Sequence, residues 1–129
     1  MMNGKEYQRL AMRTNDGKAT ERLLNRVDEN TEYPWDTDVG GILNGCLGLS
    51  GEVGEFNDMV KKWIFHEKPL DTDHAQKELG DVLWYVAMIC RSFGWDMNQI
   101  MQMNIDKLKA RYPDGFDVKL SANRKESDV

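Results

Sequence analysis

Residues 41–66, GILNGCLGLSGEVGEFNDMVKKWIFH, and residues 72–93, TDHAQKELGDVLWYVAMICRSF, decide the fold. In the first stretch Ile42, Cys46, Leu49, Val53, Phe56, Val60 and Trp63 recur in steps of four and three. In the second, Ala75, Leu79, Val82, Val86, Ile89 and Phe93 do the same. This spacing predicts two long helices with heptad seams, packed against neighbours at a shallow angle. Beside each seam runs a second row. It holds Gly45, Gly48, Glu52, Glu55, Met59 and Lys62 on the first helix, and Glu78, Asp81, Tyr85 and Met88 on the second. Each glycine in a helix interior costs up to ~1 kcal/mol. The compensation expected here is room for another backbone or a ligand.

Outward from this pair the pattern stays helical. Residues 4–14 place Tyr7, Leu10 and Ala11 on one face, and Asn15-Asp16-Gly17 interrupts them. Residues 18–29 read as a weaker helix. Asn30 to Gly41 reads as a loop that carries Tyr33 and Trp35. Asp71 or Thr72 is suited to cap the helix over 72–93, and Gly94 to end it. A further helix starts at Asp96, with Gln99 placed for a capping box, and ends before Pro113. The fold class is all-α, a bundle of four to five helices. Residues 1–116 form the helical domain and residues 117–129 a polar C-terminal tail.

The global numbers narrow the function. A chain of 129 residues is most simply one domain and should bury roughly two-thirds of its unfolded surface. A net charge of −5 argues against nucleic acid as a partner, since a phosphate backbone calls for a basic face. No apolar run approaches the ~20 residues of a membrane span, and the first ten residues lack a signal peptide's apolar stretch. The expected location is cytoplasmic. Cys46 and Cys90 fall at apolar helix positions and read as buried small hydrophobes.

The chemistry lies in two acidic pairs, Glu52-x-x-Glu55 and Glu78-x-x-Asp81. A three-residue step puts both members of a pair on one helix face, about 5–6 Å apart at Cβ. Each pair adjoins an apolar seam, so it points toward a helix partner. No base stands four residues downstream of any member: Phe56, Met59, Val82 and Tyr85 occupy those positions. Four converging carboxylates need a cation, and oxygen-only ligation suits Mg²⁺, with Mn²⁺ as the alternative. Zinc would want Cys and His clusters. The Glu-x-x-His pairs of a di-iron bundle are missing. Asp71-x-x-His74 lies at a helix start, and His66 and His74 read as solvent-facing. The residues thus describe a helical, magnesium-dependent protein whose ligand carries phosphate.

The ordered set Glu52-x-x-Glu55, 22 intervening residues, Glu78-x-x-Asp81 resembles the signature of the MazG-like nucleotide pyrophosphohydrolases, the all-α NTP pyrophosphatase superfamily. GLSGEVGEF at 48–56, KELGDVLWYVA at 77–87 and NIDKLKARYPDGF at 104–116 carry the resemblance over about residues 40–116. It implies cleavage of a nucleoside triphosphate, ribo or deoxyribo, to a monophosphate and pyrophosphate, in the service of nucleotide-pool housekeeping. By the same resemblance Glu52, Glu55, Glu78 and Asp81 ligate Mg²⁺, one of them alternatively acting as general base. Lys62, Lys107 and Arg111 resemble phosphate contacts, Asn104 a base or sugar contact, Tyr85 a sugar-pocket residue and Trp35 a base-stacking aromatic. Relatives assemble, which implies a homo-oligomer, tetramer over dimer. Two alternatives stay open: a phosphoribosyl-ATP pyrophosphohydrolase, and a non-catalytic helical oligomerisation or regulatory module.

Overall fold

The computed structural model describes residues 1–28 and 37–123. Trp35 and Tyr33 lie outside the described residues. Six α-helices follow in order: α1 (Gly4–Ala11), continued by a 3₁₀ turn (Met12–Thr14), α2 (Ala19–Asp28), α3 (Val39–Phe65), α4 (Thr72–Phe93), α5 (Met97–Arg111) and α6 (Val118–Ala122). The fold is all-α, as the periodicity predicts, and no strand occurs among the described residues. Among them, no helix is long and apolar enough to cross a membrane.

Side chains set the helix limits. Asp38 accepts from the Gly41 N–H at 3.0 Å and starts α3 at Val39, two residues before the expected start. Asp71 accepts from the His74 N–H at 3.0 Å and starts α4. Gly94 closes α4 in the left-handed region, at φ 75°. Its N–H bonds Arg91 and the Trp95 N–H bonds Cys90, which satisfies the last carbonyls. Asp96 caps α5 through the Asn98 N–H at 2.9 Å, one residue short of the expected Gln99. Asp117 holds the N–H groups of Lys119 and Leu120, so the segment read as a polar tail contains α6.

The extensive helix pair among the described residues is α3 with α4. They run antiparallel in a register that the glycine row sets. A Cβ added at Gly45 would lie 2.6 Å from Ile89 Cγ1, and one at Gly48 2.1 Å from Tyr85 Cε1. The interface therefore follows the glycines, and the apolar seam is turned partly outward. Val53 is 40% exposed and Trp63 50%. Cys46, expected to be buried, is exposed, whereas Cys90 is buried as expected. The reason is steric, because two helix axes come closest where no Cβ separates them.

This packing leaves the chain thinly covered. Ala75 and Cys90 are the buried apolar side chains among the described residues. Leu47, Leu83, Trp84 and Phe65 are more than half exposed. The accessible surface of 10935 Å² exceeds the roughly 7,000 Å² of a compact monomer of this mass. Among the described residues the sizeable single-chain core expected from length does not form, because α1, α2, α5 and α6 add little to the α3–α4 seam.

Candidate metal centre

The α3–α4 register carries directly into the acidic residues. One turn of α3 beyond Gly48 stands Glu52, and nearly two turns of α4 before Tyr85 stands Glu78. Oxygens of Glu52, Glu55 and Glu78 all lie within 4.8 Å of one another. The sequence-predicted convergence of acids from two helices thus occurs for three of the four carboxylates. Asp81 lies outside that group and is exposed. Its charge still reaches Glu52 and contributes to the shift described below.

Electrostatics mark the group as crowded. Glu52 is raised above the ordinary glutamate value, first by its hydrogen-bonding contact with Glu78, then by burial and by the charges of Glu55, Glu78 and Asp81. Glu78 is lowered, first by the same contact with Glu52, against a burial effect of opposite sign, and further by His74. The pair titrates as a unit. Glu78 is only 8% exposed. Its Oε1 lies 2.8 Å from His74 Nε2, and its Oε2 is buried without a partner. A buried carboxylate oxygen left unpaired is costly. A donor set of three clustered carboxylates with one orphaned oxygen fits a hard, oxygen-seeking divalent cation.

The acids open onto a cleft of about 470 Å³ lined by Gly51, Gly54, Glu55, Asp58, Met59, Lys62, His74 and Glu78. Lys62 lines it, with Nζ 2.5 Å from Asp58 Oδ2. That ammonium holds Asp58 below the usual carboxylate range. Tyr85 packs over Gly48 and meets Trp84 edge-on, at 5.0 Å between centroids. It borders the seam and not the cleft. Asn104 and Lys107 on α5 do not line the cleft either. Arg111 is half-buried, its guanidinium 5.8 Å from the Tyr112 ring centroid.

Two cleft residues escaped the sequence reading. His74, expected to face solvent, keeps half its side chain exposed yet bonds Glu78. Asp58 pairs with Lys62. Both stand at helical spacing from the motif, His74 four residues before Glu78 and Asp58 three after Glu55. A search upstream as well as downstream of each acid would have found the histidine.

Residues 43–116 match the family described as the MazG nucleotide pyrophosphohydrolase domain. The chain is also similar to the Gene 37 protein of Mycobacterium phage L5, with 35% identity over 77 residues, which cover 57% of this chain and 68% of that protein. No solved structure matches the chain significantly.

Proposed function

Because the chain belongs to the MazG nucleotide pyrophosphohydrolase domain family, we propose that it hydrolyses nucleoside triphosphates between the α and β phosphorus in the presence of Mg²⁺. Water and (d)NTP give (d)NMP and pyrophosphate, a reaction suited to clearing unwanted nucleotides. The observation that carries this reading is the meeting of Glu52, Glu55 and Glu78 oxygens within 4.8 Å of one another, one of these residues, Glu78, having a buried oxygen without a partner.

On this reading Glu52, Glu55 and Glu78 hold the metal, and Asp81 completes the set from one turn beyond Glu78. Mn²⁺ substitutes, since both cations take oxygen donors. When bound, the ion neutralises charge on the phosphates and lowers the pKa of water. The chain's own residues do the rest. Lys62, already in the cleft, takes a phosphate oxygen in exchange for Asp58. Tyr85 borders the sugar. Asn104, Lys107 and Arg111 reach sugar and phosphate from α5 in the assembled protein. Trp35 stacks on the base. Catalysis of this kind is mainly positioning and electrostatic stabilisation.

The assembly is a homo-oligomer, tetramer over dimer. Its support is the surface in excess of a compact monomer and the exposed Leu47, Leu83 and Trp84.

The test is a panel of ribo- and deoxyribonucleoside triphosphates, with phosphoribosyl-ATP alongside, incubated with Mg²⁺. Pyrophosphate from a nucleoside triphosphate supports the proposal. Orthophosphate, cleavage of phosphoribosyl-ATP alone, or no product overturns it.

A further inference from the structure

His74 stands in the first turn of α4, where Asp71 fixes its backbone by capping. One helical turn later its Nε2 meets Glu78 Oε1 at 2.8 Å. An ionised carboxylate only accepts, so the ring nitrogen donates. Among the described residues Glu78 has no other hydrogen-bonding partner outside the acidic cluster: Oε2 is buried and unpaired, and the side chain is nearly inaccessible. The two oxygens of one carboxylate therefore have different environments. Oε1 is tethered by the imidazole, and Oε2 is buried and unpaired.

We propose that His74 is a positioning residue, which holds Glu78 by Oε1 so that Oε2 stays presented to a divalent cation shared with Glu52 and Glu55. The inference rests on the metal-dependent reading above and adds a residue to it. Without the tether, Glu78 is free to turn away from Glu52, since like charges at this range repel. The imidazole N–H removes that option. His74 also lines the cleft, and its ring remains more than half exposed. Its replacement therefore leaves the α3–α4 seam intact.

The full-length protein is titrated with Mn²⁺ and with Mg²⁺, following melting temperature, and pyrophosphate release is measured across the same metal range. H74A and H74F, which both lack the donor, shift the metal midpoint upward by about 10–100-fold, the usual effect of losing an outer-shell partner. Turnover at saturating metal is largely kept. H74Q, whose amide N–H₂ reaches a carboxylate four residues on, recovers most of the midpoint. A purely structural histidine would lower the metal-free melting temperature and leave the midpoint alone. An unshifted midpoint in H74F, or a turnover loss that excess metal does not rescue, overturns the proposal. A wild-type protein with neither a divalent response nor pyrophosphate release removes the metal reading itself, and this inference with it.

Discussion

At one end of the α3–α4 pair, Gly45 and Gly48 stand so close to Ile89 and Tyr85 that an added Cβ would collide with them. One turn further, Gly51 and Gly54 have nothing within 4 Å of the same added atom and line the open cleft. One residue type, repeated every third position, thus serves closure at one end and vacancy at the other. The closed end sets the register and brings the helices together. The open end uses that register to assemble carboxylates that would otherwise repel. The difference teaches that tight packing and an electrostatically costly site are adjacent by construction, the first restraining the second.

The largest break should come at the open end. Glu52→Gln or Glu78→Gln is expected to lower pyrophosphate release by on the order of 10²-fold or more, as loss of a key electrostatic partner does. Circular dichroism should show the helices unchanged. Without metal, Glu52→Gln should melt higher than wild type, because it relieves crowding against Glu78. A lower melting temperature would show the acids to be structural.

The closed end should respond in stability. Gly48→Val overfills the contact with Tyr85 and is expected to cost about 1–3 kcal/mol in denaturant unfolding. By contrast, Gly51→Ala meets open space. It should stabilise by up to ~1 kcal/mol from helix propensity while lowering kcat/KM through the narrowed cleft. Equal effects of the two substitutions would erase the distinction between the ends.

The smallest signal is in pH. The raised Glu52 favours its protonated form in the folded chain, so its stabilising contribution is complete below the ordinary value of 4.5 and lost as pH rises through the folded value. The lowered Glu78 contributes above 4.5, and that contribution is lost as pH falls through its folded value. Melting temperature of the metal-free protein should therefore fall on both sides. Saturating Mg²⁺, or Glu52→Gln, should abolish the loss on the alkaline side only.

Much of this was legible in the chain. Four-three spacing located α3 and α4, Asp71 or Thr72 marked the start of α4, and Gly94 marked its end. The three-residue steps within 52–55 and 78–81 identified Glu52, Glu55 and Glu78, which meet, together with Asp81, which does not join them. Other features were not legible. Leu49 and Gly48 are neighbours on the helix, and periodicity cannot tell which row a partner will meet. The apolar row looked like the interface; the glycine row is the interface. Cys46 consequently faces outward. His74 was read as solvent-facing because it stands at a helix start, yet its partner Glu78 lies one turn downstream on the same helix. Asp81 shares a face with Glu78, yet its oxygens lie outside the three that cluster.

By itself the sequence determined which side chains share a face, because the helical repeat is a local property that needs no partner. Only the tertiary structure decided which face is buried, how Glu52 comes to oppose Glu78, and which oxygen of Glu78 is tethered and which left unpaired. Those outcomes depend on the distance between two helix axes. That distance is set where Gly45 and Gly48 let α4 approach, through contacts between residues some forty positions apart.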